Sequence, residues 1–234
     1  MKQVAQKLAD GRIEVVDAPL PSIGPNDVLI RNAYSLISTG TERATITSAR
    51  DNLLKKARNR PEDVKRVLQT VKEEGISYAF SAVETRLQNY TPLGYSCAGF
   101  VESAGKDVTR FKAGDCVAAA GLGWAVHAEF VAVPQQMTVA VPNATFLDEA
   151  AFNALGAIAL QALRNSDCTL GSRVVVIGYG LIGQILLRLL TANGIYCAVV
   201  ESSPAKLALA ERDGAICAIP SDLSDNEFEN ILEQ

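Results

Sequence analysis

The run RVVVIGYGLIGQILLRLL, residues 173–190, constrains the fold of this chain more than any other stretch. Val174–Ile177 is an uninterrupted apolar segment, as a strand covered on both faces requires. Gly178, Gly180 and Gly183 follow as G-x-G-x-x-G, with Leu181 and Ile182 between the last two glycines, and an apolar helical stretch begins at once. The first glycine permits a tight turn. The second lets a pyrophosphate come close to the backbone, and the third lets the helix pack on the strand. The helix N-terminus presents N–H groups and a partial positive charge to phosphate.

A second strand is expected over Tyr196–Val200, ending in Glu201, 18 residues after Gly183. An acidic side chain there can accept hydrogen bonds from the adenosine ribose. It also repels the extra phosphate of NADP, so NAD is the expected cofactor and NADP the less favoured one. Lys206 is placed to reach the same ribose. The cofactor-binding set is therefore Gly178, Gly180, Leu181, Ile182, Gly183, Glu201 and Lys206.

Around this signature the chain divides by pattern. In residues 1–40, RIEVVDAP and DVLIRNAYSLIS read as strands, separated by PLPSIGPND. Residues 45–75 change to a helical pattern. Val64, Val67, Leu68 and Val71 lie at i, i+3, i+4, i+7, with Pro61 suited to the first helical position and Gly75 to the stop. A preceding helix is expected over Thr45–Arg58. Strand signals return in AGFVESAG, GDCVAAAG and AEFVAVP, short segments broken by Gly and Asp, as in a barrel or sandwich. A helix is expected across Asp148–Arg164. From Gly171 on, strand and helix alternate, with strands at Val174–Ile177, Tyr196–Val200 and about Ala215–Ile219, and a last helix in DNEFENILEQ. The fold class is α/β, with an all-β-rich first part and a parallel doubly wound second part.

Bulk properties exclude several classes. With 48% hydrophobic and 21% charged residues the chain has ample material for a core. Its net charge of −4 gives nucleic acid no electrostatic footing. The apolar uncharged runs Ala150–Leu163 and Val174–Leu187 are 14 residues each, too short to span a bilayer. Five scattered cysteines without a CxxC pair, and His127 as the one histidine, argue against a zinc site and for reduced thiols in a cytoplasmic protein.

The order of these motifs resembles that of the medium-chain dehydrogenase/reductases. The resemblance rests on SLISTGTER, DVTRFKAGDCV, HAEFVAVP and FNALGAIALQALRNSDCTLGSRVVVIGYGLIG. It implies a GroES-like catalytic barrel over 1–147 with a helical insertion at about 45–75. A linker helix and an incomplete Rossmann domain would then fill 148–234. It also implies nicotinamide-dependent hydride transfer on an alcohol or carbonyl. The zinc-lacking branch of two-part oxidoreductases is the nearest resemblance.

Zinc-dependent members of that family carry Cys-Gly-Thr-Asp and Gly-His-Glu stretches. Here the first reads Thr39-Gly40-Thr41-Glu42 and the second Gly94-Tyr95-Ser96, and the third ligand position falls near Asn153–Ala154. Hydroxyls are poor zinc ligands beside thiolate and imidazole, so no metal is expected. Without a Lewis acid, hydroxyl donors must serve the charge that develops on the reacting oxygen. The catalytic candidates are Thr41, which matches the family hydroxyl, Tyr95 at a lost ligand position, and Thr39. Tyr95 could equally be packing at a strand mouth. His127 is read as a structural imidazole bonded to backbone, with a proton-carrier role as the alternative.

Residues 43–74 hold nine basic and five acidic side chains. That balance fits either a solvated helical face, an anionic or sugar-like small-molecule substrate, or a contact with a second copy or a missing C-terminal half. The sheet as read has three strands where a full doubly wound sheet has six, so a truncated chain with an incomplete pocket is expected. Two other functions stand beside the dehydrogenase reading: an NADPH-type quinone or enoyl reductase, and a catalytically silent nucleotide-binding module.

Overall fold

The structure, a computed structural model, describes residues 1–42, 69 and 89–222. The expected helices at 45–58 and 61–74, the basic stretch they carry and the helix in DNEFENILEQ lie outside the described residues. The chain forms two compact units, Met1–Asn153 and Ala154–Gln234.

The first unit is built on antiparallel strands. A three-stranded sheet has the order β2 (Ile13–Asp17), β1 (Lys2–Lys7), β4 (Tyr90–Pro92). A five-stranded sheet has the order β7 (Phe130–Pro134), β3 (Asp27–Ser35), β5 (Ser96–Ala104), β6 (Cys116–Ala120), β8 (Thr138–Ala140). The strands expected from DVLIRNAYSLIS, AGFVESAG, GDCVAAAG and AEFVAVP are β3, β5, β6 and β7. Their alternate residues Val28, Ile30, Val101, Val117, Val131 and Val133 are buried together and form the core. Strands β1, β4 and β8 were not read from the sequence. β1 alternates charged and apolar residues weakly, and β4 and β8 are three residues each, held by their ladder partners rather than by pattern.

The ladder of β3 on β5 has register shifts between Leu29 and Ile30 and between Asn32 and Tyr34. At the second shift Gly99 faces Asn32, and a Cβ on Gly99 would collide with the Arg31 carbonyl oxygen. The expected single helix across Asp148–Arg164 is broken. α1 spans Leu147–Ala150 and α2 spans Asn153–Asn165. The break is set by Ala151 and Asn153, which bond across to β5.

The second unit is a parallel sheet in the order β11 (Cys217–Pro220), β10 (Tyr196–Glu201), β9 (Arg173–Ile177). α3 (Leu181–Ala192) connects β9 to β10, and α4 (Pro204–Arg212) connects β10 to β11. Leu187 and Leu190 of α3 and Ala210 of α4 pack against Val176, Cys197 and Val199. The strand and helix alternation was legible, because each strand is a continuous apolar run and each helix start is marked by glycine or proline. Among the described residues no single helix is long and apolar enough to cross a membrane.

Candidate functional site

In the second unit the glycine turn is formed as its sequence requires. Gly178 adopts φ of +94°, which only glycine takes without strain. A Cβ on Gly183 would collide with the Gly178 carbonyl oxygen, whereas a Cβ on Gly180 would meet nothing within 4 Å. Gly183 is thus required by helix-to-turn packing, and Gly180 leaves open space where a ligand would come close. Gly180 is the N-cap of α3 and no side chain caps that helix.

Glu201 does more than the sequence reading assigned to it. It is buried, 8% exposed. Its Oε2 accepts from the Tyr179 backbone N–H at 2.8 Å and lies 3.5 Å from Lys206 Nζ. Its Oε1 accepts from the N–H groups of Ser202 and Ser203, at 2.9 and 3.1 Å, and from Ser202 Oγ at 3.1 Å. The carboxylate therefore ties the glycine turn to the end of β10 before any ribose arrives. Lys206, expected to reach the ribose, pairs with Glu201 through the longest of these contacts.

The Tyr179 N–H, followed by the Ser203 N–H, the Ser202 hydroxyl and Lys206, holds the Glu201 carboxyl down to about 2, against a burial cost that acts the other way. A lowered folded-state value stabilises the fold above the ordinary 4.5, and that contribution is lost as pH falls towards about 2. The unfolding midpoint in urea is accordingly expected to fall across that window in the native chain. It should fall distinctly less in Glu201→Gln, as followed by circular dichroism. Parallel pH profiles for the two proteins would refute this account of Glu201.

In the first unit the positions of interest gather at one end of the β3–β5 ladder. Leu36 N donates to Ser96 O at 2.9 Å, so the segment leaving β3 and the segment entering β5 emerge side by side. The chain is helical from residue 39, with Thr39 and Thr41 exposed and Glu42 buried. The Ser38 hydroxyl approaches Thr41 Oγ1 at 3.4 Å. Tyr95 is half-buried in the bend before β5, and its carbonyl accepts from Gly121 N–H. The neighbouring Ser96 is structural. It is buried and donates to Ala151 O at 2.6 Å.

His127 corrects the expectation of a backbone-bonded imidazole. Its Nδ1 lies 2.8 Å from Ser35 Oγ and its Nε2 lies 3.2 Å from Glu42 Oε1. The backbone contacts are made by its main chain instead: His127 N–H donates to Leu93 O, and Val4 N–H donates to His127 O. Asn32 Nδ2 holds the flanking carbonyls of Val126 and Ala128. Gly94, with φ of +94°, brings its backbone so close to the imidazole that a Cβ would stand 2.8 Å from Nδ1. His127 therefore links the Thr39–Glu42 segment, through its side chain, to the Gly94–Tyr95 segment.

Glu42 was overlooked as a site residue. Its Oε1 also accepts from Ser38 N–H at 2.9 Å, so it anchors the start of the helix that carries Thr39 and Thr41. No capping-box spacing marked it, because the acid stands four residues after Ser38 rather than three.

Asn153, near the third of the positions that the resemblance pairs with a metal, is occupied by hydrogen bonds to protein. Its Nδ2 lies within hydrogen-bond distance of Ser96 Oγ and of the carbonyls of Cys97, Ala119 and Ala150. Its amide is committed to joining β5, β6 and α1. Among the described residues no three His, Cys, Asp or Glu side chains come together. Burial pushes the Cys97 thiol up to about 12 and the Cys197 thiol up to about 11, so neither is a thiolate ligand or nucleophile near neutrality.

The comparisons with known proteins point one way. Residues 62–143 match the family model of the alcohol dehydrogenase GroES-like domain. The chain is 28% identical over 160 residues to (R,R)-butanediol dehydrogenase of Bacillus subtilis, covering 57% of this chain and 45% of that protein. It is 30% identical over 126 residues to a quinone oxidoreductase of Pseudomonas aeruginosa, covering 53% of this chain and 39% of that protein. These matches support a member of the medium-chain dehydrogenase/reductases.

Solved structures share the fold of this chain. Galactitol-1-phosphate dehydrogenase from Escherichia coli superposes with a TM-score of 0.74 at 20% identity, over 100% of this chain and 65% of that one. The Escherichia coli quinone oxidoreductase complexed with NADPH gives 0.74 at 16% identity, over 100% and 63%. These likenesses support a GroES-like plus Rossmann arrangement, and the relatives carry the names of dehydrogenases and oxidoreductases. The chain spans less than half the length of each of these two curated relatives.

Proposed function

We propose that this chain carries a zinc-independent, NAD(H)-dependent oxidoreductase activity on an alcohol or carbonyl of a small, sugar-like molecule. The observation that carries the reading is the glycine turn between β9 and α3, with the Glu201 carboxylate behind it. A nicotinamide dinucleotide bound there supplies the hydride donor or acceptor. The exposed N–H groups at the start of α3 bind its pyrophosphate, and Gly180 leaves the space. Glu201 keeps its negative charge across the neutral range, which disfavours a 2′-phosphate. Ribose hydroxyls replace its weakest partner, Lys206 at 3.5 Å.

Thr41 and Tyr95 donate hydrogen bonds to the substrate oxygen, and Thr39 lines the same helix start. The donor chemistry at Thr39, Tyr95 and Asn153 supports a reaction without zinc. Polyol and sugar-alcohol substrates in the names of two relatives support the substrate class. The scattered cysteines, free where the structure describes them, support a cytoplasmic setting. A second reading, an NADPH-type quinone reductase, is favoured by the quinone oxidoreductase relative and by the NADPH in its structural counterpart.

Calorimetric titration of the chain with NADH and NADPH separates the two readings. NADH is expected to bind at least about tenfold more tightly, a difference of about 1.4 kcal/mol, and Glu201→Ser is expected to narrow that gap. Equal or reversed affinities would favour the quinone reductase. Binding of neither would sink the dinucleotide reading.

A further inference from the structure

The non-glycine residue inside the phosphate turn, Tyr179, has a side chain that the G-x-G pattern does not call for. It is fully buried, although both its neighbours are exposed glycines. Its phenol donates to Asp213 Oδ2 at 2.9 Å, and Arg188 of α3 reaches the same oxygen at 3.3 Å. Asp213 caps the C-terminus of α4 and its side chain is only 10% exposed. The main chain of Tyr179 is equally fixed. Its N–H donates to Glu201, and its carbonyl accepts from Gln184 Nε2 at 3.4 Å. Gly178 N–H donates to Val200 O at 2.7 Å. One residue thus fastens the turn to the end of β10, to α3 and to the end of α4.

A phenylalanine would fill the same volume, so packing alone does not explain the hydroxyl. A buried hydroxyl that loses its partner destabilises the fold, and here the partner is a carboxylate already held by an arginine. Burial, reinforced by Asp213, pushes the phenol's ionisation up, so it remains a donor throughout the neutral range. Donors held in place before a ligand arrives bind it without an ordering cost.

We propose that Tyr179 is a positioning residue, whose phenol–Asp213–Arg188 chain holds the Gly178–Gly180 turn in the conformation that receives a pyrophosphate. The proposal rests on the dinucleotide reading above. It predicts an effect confined to the phosphates. Tyr179→Phe is expected to weaken ADP binding about tenfold, equivalent to about 1.4 kcal/mol, while AMP binding changes less than about twofold.

In the unliganded chain, amide exchange at Gly178, Tyr179 and Gly180 should accelerate while Val199 and Val200 keep their protection. Asp213→Asn, which keeps an acceptor for the phenol, should lie between the two. Equal weakening of ADP and AMP, or faster exchange throughout the sheet, would mean general destabilisation and overturn the proposal. Unchanged ADP affinity in Tyr179→Phe would overturn it while leaving the dinucleotide reading intact. A native chain that binds neither nucleotide would overturn both.

Discussion

Gly183→Ala is expected to abolish ADP and NADH binding and to lower the melting temperature of the Rossmann unit by on the order of 10 °C. The reason is steric and backbone-borne. The added Cβ would collide with the Gly178 carbonyl oxygen and stand 3.3 Å from its carbon. A flexible side chain could move aside, but this carbonyl sits in a turn fixed on both sides by Val200 and Glu201. The start of α3 must therefore swing away from β9, and the N–H groups proposed to bind phosphate go with it. Gly180→Ala is the control. Its Cβ meets nothing within 4 Å, so melting should change little while ADP binding falls at least about tenfold. Scanning calorimetry and nucleotide titration of the two variants read both effects. A Gly183→Ala protein that melts and binds as the native chain does would show that helix and turn do not need this close approach.

The second large effect is expected in the barrel. His127→Ala removes the imidazole that stands 3.2 Å from Glu42 Oε1 and leaves a buried carboxylate with Ser38 N–H as its remaining described partner. Removing one hydrogen-bond partner of a buried polar group of this kind costs about 1–3 kcal/mol. Trp124, the chain's one tryptophan, lies in the same unit and reports unfolding there in urea. Glu42→Gln keeps an acceptor for both neighbours and should cost less than about 1.5 kcal/mol. The double variant Glu42→Leu/His127→Ala should recover part of the His127→Ala loss, because no unpaired carboxylate remains. If the double variant is as unstable as the sum of its single changes, the two side chains are not energetically coupled.

These two sites differ in how far they could be read in advance. The glycine turn was legible because its constraint is local. Three glycines at fixed spacing after an apolar run dictate one backbone path, and the structure has that path. The strands Asp27–Ser35 and Phe130–Pro134 were legible from short apolar runs bounded by turn residues. The side-chain network was not. His127 meets Ser35 and Glu42 across 92 and 85 residues, and Tyr179 meets Asp213 across 34. No periodicity links such positions, because a long-range hydrogen bond imposes no repeat on the chain. Glu201 illustrates the middle case. Its place at the strand end was read correctly, but the donors that surround it come from backbone N–H groups, which every sequence has.

The setting of His127 also makes the barrel unusually simple to observe. A chain with one imidazole gives one set of ring nitrogen resonances, with no assignment to dispute. One nitrogen faces a hydroxyl and the other a carboxylate, so a neutral ring carries its proton towards Glu42. Nitrogen chemical shifts then report two contacts from a single side chain, one to the end of β3 and one to the helix start at Thr39–Glu42. A substrate analogue that disturbs only the hydroxyl-bearing segment would move one signal and leave the other in place, giving a direct reading of where in the barrel a small molecule lodges.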